Sequence, residues 1–350
     1  MYKRQILTYV KRPDGKVVEK LRTTPHARRL SSLLNHPVDK VDDCIGPLVE
    51  QKISEMKGGD VLMLENVRFH KEEMEDNDDF AKELCKGKDV IVFDGFPQAH
   101  RMHSSTTGIE RHLPSVAGMY LEKEVNMLSA LLDNPVRPFT VIVGGAKISD
   151  KVEAINNLLK MADTVLVGGA VANVFLKAKG ISVGDSFVED VFVDKAKKEK
   201  KNWVDVAKDI IKEAEFLGKK VLIPKDVYIS DGMTTKLINI SEQGVPKGWM
   251  ALDIGLETQK EFSQIISESK TVFINGPLGR FEGDKFIQGS ISILKAMKEI
   301  QGETIVAGGD TIDLIRRHGN LADYTHISLA GGATLEFLAG KELPALKALQ

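Results

Sequence analysis

Residues 139–151 read FTVIVGGAKISDK: an apolar, β-prone run, a Gly-Gly break, then two lysines ahead of helical spacing at Val152, Ile155 and Leu159. The run predicts a buried strand, the glycines a tight turn, and the spacing a helix. Lys147 and Lys151 then stand near the start of that helix, where the backbone dipole repels cations and attracts anions. A bound anion, above all a phosphate, resolves the conflict, because helix N-termini and glycine turns offer free backbone N–H groups. The plainer reading is two solvated surface lysines.

The same pattern recurs along the chain. Short β-rich runs end in glycine, proline or asparagine at Val61–Leu64, Val90–Phe93, Thr140–Val143, Val165–Val167, Val221–Ile223, Val272–Ile274, Ile305–Ala307 and Ile327–Leu329, with an earlier candidate at Ile6–Val10. Helical spacing lies between them, as at Val206, Ile210, Ile211 and Ala214. Strands alternating with helices predict an α/β protein built on parallel sheets. Runs that are apolar on both faces fit strands covered by helices on each side. Two prolines in Asp133–Pro138 (DNPVRP) predict a boundary, dividing the 350 residues into two domains of ordinary size.

Composition narrows the function. Lys and Arg number 48 against 50 Asp and Glu, and this balance argues against a nucleic-acid binder or a polybasic membrane protein. Its two cysteines, Cys44 and Cys85, have no metal or redox spacing, which fits a reducing compartment. No apolar stretch reaches the ~20 residues of a membrane helix, and the start lacks a signal-peptide core, so a cytoplasmic location is expected. The basic run Lys195–Lys201 reads as a solvated face.

In open α/β sheets ligands bind at the carboxyl ends of strands. In the second half those ends read GGAKISDK (144–151), GGAVAN (168–173), IPKD (223–226), NGPLGRFE (275–282), AGGDT (307–311) and LAGGAT (329–334). Glycine pairs allow close backbone approach to a ligand, although each singly is also an ordinary turn. Asp310 reads either as a helix N-cap or as a carboxylate beside phosphate-borne Mg²⁺. There is no G-x-x-x-x-G-K-[ST] and no G-x-G-x-x-G, which excludes a P-loop NTPase and counts against a dinucleotide dehydrogenase. In the first half the strand ends deliver Arg12, Arg68 and Arg101, the last accompanied by His100 and His103. Guanidinium forks grip carboxylate and phosphate at two points, so this set suits a small, multiply charged anion.

The motifs MLENVRFH (63–70), DGFPQAHRMHSST (94–106), GGAKISDK, GWMALDIG (248–255), INGPLGRFE (274–282), AGGDT and GGATLEFLAGKELPAL (331–346) resemble the phosphoglycerate kinase family, from about Ile6 to the end. The resemblance implies two Rossmann-like parallel-sheet domains facing each other across a cleft. It implies a phosphoglycerate-binding domain at 1–133, a nucleotide-binding domain at 134–325, and a closing segment at 326–350 that packs back toward the first. The implied reaction is reversible phosphoryl transfer between 1,3-bisphosphoglycerate and ADP, with Mg²⁺ accompanying ADP or ATP, by a monomer. A non-catalytic nucleotide-binding relative is the alternative.

Carried over by motif, Lys147 follows the moving phosphoryl group and Lys151 holds the nucleotide phosphates. Asp310 is the residue near Mg²⁺, between Gly309 and Thr311 at the phosphates. Gly168, Gly169 and Leu252 border the adenine, Asn275 and Pro277 contact the nucleotide, and Glu282 contacts the ribose. Gly331 and Gly332 receive the transferred group, while Arg12, Arg68, His100 and Arg101 form the phosphoglycerate patch. The chain departs from the family pattern in places. His-Leu-Gly-Arg-Pro becomes Tyr9-Val10-Lys11-Arg12-Pro13, a glycine becomes Ala251, and Ser-Thr-Gly-Gly-Gly becomes Ser328-Leu329-Ala330-Gly331-Gly332. The family's opening strand and helix have no counterpart here, so an N-terminal sheet missing its first strand is expected, with backbone groups unpaired inside it.

Overall fold

The computed structural model describes residues 2–194 and 199–349. Two compact units emerge: Met1–Glu122 with Glu342–Gln350, and Lys123–Lys341. The division lies inside a helix, ahead of the Asp133–Pro138 stretch expected to mark it. Of the closing segment 326–350, only the stretch from Glu342 belongs to the first unit.

In the first unit, strands β1 (Arg4–Ile6), β2 (Val38–Lys40) and β3 (Val61–Met63) form a parallel sheet in the order β1-β3-β2. Strands β4 (Ile91–Phe93) and β5 (Ser115–Ala117) form a separate parallel pair. Helices α1 (Thr24–Leu34), α2 (Pro47–Glu55) and α3 (Asp78–Cys85) alternate with the strands, and α4 (Met119–Asp133) follows β5. Helix α3 illustrates how the sequence sets an element. The Asn77 side chain accepts the Phe80 N–H at 2.9 Å and two aspartates fill the first turn, both stabilising a helix start. Its buried Phe80, Ala81, Leu84 and Cys85 fall on one face, in a core with Leu62, Leu64, Val49 and Ile53.

Glu65, at the end of β3, is 2% exposed and ties this unit together. It accepts the Thr23 N–H (2.8 Å), the Asn66 N–H (2.8 Å), Arg22 (2.9 Å) and Lys40 (2.6 Å). Burial alone pushes its pKa up, but the hydrogen bonds from Lys40, the backbone and Arg22 outweigh this and bring it to about 2. A folded-state pKa below the unfolded value stabilises the fold above the ordinary carboxylate range and loses that contribution as pH falls toward 2. Glu65→Gln removes the buried charge shared by Arg22 and Lys40, which keep only their exposed partners Glu19 and Asp42, and is expected to cost about 2 kcal/mol, with a shallower acid limb in a denaturation–pH series as the check.

In the second unit the strands are β6 (Phe139–Val143), β7 (Thr164–Val167), β8 (Val191–Asp194), β9 (Glu199–Asn202), β10 (Lys220–Leu222), β11 (Asp226–Ser230), β12 (Thr235–Asn239), β13 (Met250–Ile254), β14 (Thr271–Asn275), β15 (Glu303–Ala307) and β16 (His326–Ser328). Six of them form one parallel sheet in the order β10-β7-β6-β14-β15-β16. Numbered within this sheet the order is 3-2-1-4-5-6, the doubly wound arrangement, and it reverses between β6 and β14. Helices α5 (Val152–Met161), α6 (Gly169–Ala178), α7 (Trp203–Phe216), α8 (Ile240–Gln243), α9 (Leu256–Glu268), α10 (Gln288–Glu299), α11 (Gly309–His318) and α12 (Gly332–Leu338) connect the strands, and the short α13 (Pro344–Ala348) belongs to the first unit. The core buries Ile142, Leu166, Phe262, Val272, Ile293 and Val306 completely.

Each predicted strand is present with ends shifted by a few residues; Ile6–Val10, for instance, is realised as Arg4–Ile6. The antiparallel sheet β12-β11-β13 and the pair β8-β9 were not anticipated. The turn between β11 and β12 uses Asp231, whose carboxylate accepts the Met233 and Thr234 N–H groups, followed by Gly232 at φ 94°. Part of the basic run, residues 195–198, lies outside the described residues. No helix among the described residues is long and apolar enough to cross a membrane.

Candidate active site

The reversal between β6 and β14 places two strand ends side by side. Gly144 N–H donates to Asn275 O (3.0 Å) and Gly145 N–H to Pro277 O (2.7 Å). A Cβ on Gly144 would strike the carbonyls of Gly276 and Pro277, and one on Gly276 would strike the Gly144 backbone. These glycines were expected to admit a ligand. Their first effect is to let one strand end lock onto the next, backbone against backbone.

Two adjoining cavities open from this junction, of about 470 and 460 Å³, sharing Gly145, Ala146 and Asp310 in their walls. The first is polar. Lys151, Asn275, Gly276, Gly309, Asp310 and Gly331 line it, with Gly332 beside them. The second is mostly apolar, with Leu176, Phe187, Val227, Met250, Leu252 and Leu278 in its wall, and Gly169, Pro277 and Glu282 at its edges.

Helix α5 starts at Val152 with Lys151 as its N-cap, so Lys151 faces the dipole as expected. Its ammonium lies over the glycine turn, 3.4 Å from where a Gly145 Cβ would stand. Burial lowers its pKa, and the nearby carboxylates of Asp150, Asp310 and Glu189 partly restore it. Lys147 is different. It is exposed on the loop before the helix and lines neither cavity. That loop is held by Glu189, which accepts the Ser149 N–H (2.9 Å) and hydroxyl (2.6 Å). Thr311 is 1% exposed and accepts the Gly276 N–H at 3.0 Å, so it braces the turn from behind. Gly168 is buried, and Leu278 occupies the space where its Cβ would go.

Two helices of ten residues begin at this site, α6 after Gly168 and α11 after Gly308, both without a side-chain cap. At α6 the Gly169 and Val171 N–H groups already donate to Leu278 O and Gly145 O, so the start of α11, with its positive dipole end, is the one suited to phosphate oxygens. Asp310, exposed in the first turn of α11, contributes a carboxylate at the junction of the two cavities. Asp253 forms part of the apolar floor. Burial raises its pKa to about 7, against the Gly289 and Ile254 N–H groups it accepts.

In the first unit the expected cations come together. Arg68 is 5% exposed, and its guanidinium carbon lies 3.7 Å from the Tyr9 ring centre. Its Nη1 donates to Lys11 O (3.0 Å) and its Nη2 to Gln98 Oε1 (2.9 Å), while its Nε is buried without a partner. None of these acceptors is a carboxylate. Burial lowers the Arg68 pKa, and the charges of Arg101 and Arg12 lower it further. Arg101 Nε donates to His100 Nε2 at 3.2 Å. His103, 6% exposed, is driven down to about 4 by burial and by Arg68 and Arg101, and is therefore neutral at pH 7. The arrangement is a concentrated positive field supported by neutral groups, which is suited to an anion.

Sequence reasoning missed the supports: Tyr9 and Gln98 under Arg68, and Glu73, which is 2% exposed and accepts from the Ser105 hydroxyl (2.6 Å) and N–H (2.9 Å). Burial raises the Glu73 pKa to about 7. Asp43, Cys44 and His70 also bring potential metal ligands within 4.8 Å of one another. Burial in the apolar core drives the Cys44 thiol strongly upward, and Asp43 and His70 already share a 2.8 Å hydrogen bond, so this group reads as core structure.

A family model described as "Phosphoglycerate kinase" matches residues 3–341. The phosphoglycerate kinase of Moorella thermoacetica is 42% identical over 346 residues, 98% of this chain and 85% of that protein. The chloroplastic phosphoglycerate kinase of Volvox carteri is 41% identical over 98% of this chain and 73% of its own length. Among solved structures, phosphoglycerate kinase from Coxiella burnetii superposes with a TM-score of 0.83 at 34% identity, covering 99% of this chain and 85% of that one. That from Pyrococcus horikoshii superposes at 0.84 and 33%, covering 99% and 86%.

Proposed function

The chain belongs to the phosphoglycerate kinase family, and from that premise we propose how its residues divide the reaction. It is a phosphotransferase with a carboxyl group as acceptor, moving a phosphoryl group reversibly between 1,3-bisphosphoglycerate and ADP to give 3-phosphoglycerate and ATP. The observation that carries the assignment of sites is the paired cavity of the second unit. Its apolar half suits a base and its polar half a phosphate chain, joined at Gly145, Ala146 and Asp310.

In this reading Gly169, Leu252 and Pro277 border the base, with Gly168 packed behind, and Glu282 takes the ribose. Lys151, Asn275 and Gly309 hold the phosphates. Thr311 acts through the Gly276 turn it supports. Gly331 and Gly332, at the open start of α12, receive the transferred group. Lys147 is free to follow the phosphoryl group because its side chain is not committed to the cavity wall. Phosphoryl transfer asks for positioning and charge neutralisation rather than covalent chemistry by the protein. Arg12, Arg68, His100 and Arg101 bind the acceptor. Arg68 meets it with a cation that no carboxylate hydrogen-bonds, so the substrate is its natural counter-ion.

Mg²⁺ fits this donor set. One carboxylate, Asp310, stands where the two cavities join, and Mg²⁺ is usually held by one or two protein carboxylates with the remaining oxygens from phosphate and water. When bound, the ion neutralises charge on the phosphates. Asp310→Asn is expected to weaken ADP about tenfold in the presence of Mg²⁺ and to have little effect in EDTA. Calorimetric titration with ADP under both conditions tests this; equal weakening in both would remove Asp310 from the metal role.

A further inference from the structure

Among the described residues four non-glycine residues have positive φ: Lys11 (54°), Asp14, Asn35 and Asp76. Three are Asp or Asn, the residues that tolerate this region best. Lys11 is the exception, and it lies in the acceptor patch. The left-handed backbone there aims its carbonyl at Arg68 Nη1, 3.0 Å away. Glycine would do this without strain, and glycine is what the resembled motif carries at this position.

Lys11 also adjoins Arg12, whose charge together with that of Arg101 depresses the Arg68 pKa, so its backbone is part of the same cationic patch. Yet Lys11 is exposed, and its ammonium makes no hydrogen bond or ion pair among the described residues. The positive φ opposes a lysine here, and its unpartnered ammonium is left available to an anion.

Position 9 supplies the complement. The resembled motif has a histidine there, a potential cation toward the substrate. Here Tyr9 is spent on support: its ring lies under Arg68, and its hydroxyl is 2.5 Å from Gln98 Nε2. Gln98 in turn holds Arg68 Nη2. The exchange removes a titratable cation at position 9 and adds a permanent one two residues later.

We infer that Lys11 is an acceptor-binding residue in this chain, its ammonium taking a charged oxygen of the phosphoglycerate in place of the missing histidine, while Tyr9 positions Arg68. This rests on the acceptor site proposed above. Lysine stays protonated across the neutral range, so affinity contributed at this point does not decline through pH 6–8 as it would with histidine.

The test exploits the strain. Lys11→Gly removes strain and charge together, so thermal stability is expected to rise while KM for 3-phosphoglycerate rises about tenfold. KM for ATP should be unaltered. Lys11→Arg keeps the charge and should hold KM for 3-phosphoglycerate within about twofold. Adding Tyr9→His to Lys11→Gly should recover affinity only below about pH 6.5. A stabilised Lys11→Gly protein with unchanged KM for 3-phosphoglycerate would overturn the inference. Arg101→Ala separates the premises. If it raises that KM while Lys11→Gly does not, only the role of Lys11 fails; if neither does, the acceptor site itself is misplaced.

Discussion

Lys147→Ala is expected to lower kcat about 10²–10³-fold while changing MgADP affinity by no more than about threefold. The reason is positional. Lys147 is exposed and lines neither cavity, so a resting nucleotide gains little from it. Its loop is nonetheless fixed, through the two hydrogen bonds from Ser149 to Glu189 and through Ile148, which is fully buried. A long cation on a fixed loop can meet charge that develops only as the phosphoryl group moves, and such contacts raise kcat rather than affinity. Lys151→Ala should behave in the opposite way, weakening MgADP strongly, because its ammonium already lies over the glycine turn. Stopped turnover with parallel ADP titrations separates the two. Equal loss of affinity in both variants would show that Lys147 is an ordinary nucleotide ligand.

The second large effect is expected at Arg68. Arg68→Met should raise KM for 3-phosphoglycerate by about 10²-fold, because its charge-assisted contact with the anion is lost and, among the described residues, no other Lys or Arg is buried. The fold should tolerate the change. Arg68 is hydrogen-bonded only to Lys11 O and Gln98, its Nε has no partner, and burial lowers its pKa, so the free protein bears a cost for this charge. Replacing a buried, poorly compensated charge by an apolar chain is often neutral or stabilising. A higher melting temperature with lost acceptor affinity is therefore the expected pair of results. Lower stability with unaltered KM would make Arg68 a structural residue.

Much of this was legible in the chain because strand ends carry their chemistry locally. The run Phe139–Val143, its glycines and the helical spacing after Lys151 are read within a dozen residues. The repeat of that pattern gives the parallel sheet. The order of the strands is not local, and with it the role of Gly144 and Gly276, which depends on the register of β6 against β14. The supports of Arg68 were hidden for the same reason, since Lys11 and Gln98 stand 57 and 30 residues away in sequence. Strands β2, β5 and β12 bury few of their residues, so their apolar signal is weak. The expected boundary at Asp133 rested on prolines, yet helix α4 runs on toward them from the first unit into the second.

The central claim is that one chain holds both a nucleotide site and a phosphoglycerate site and passes a phosphoryl group from one ligand to the other. The most direct measurement is turnover of the purified protein with MgATP and 3-phosphoglycerate, followed by coupled reduction of the 1,3-bisphosphoglycerate formed. Saturable turnover dependent on both substrates is predicted. Tight MgADP binding with neither turnover nor 3-phosphoglycerate binding would contradict it.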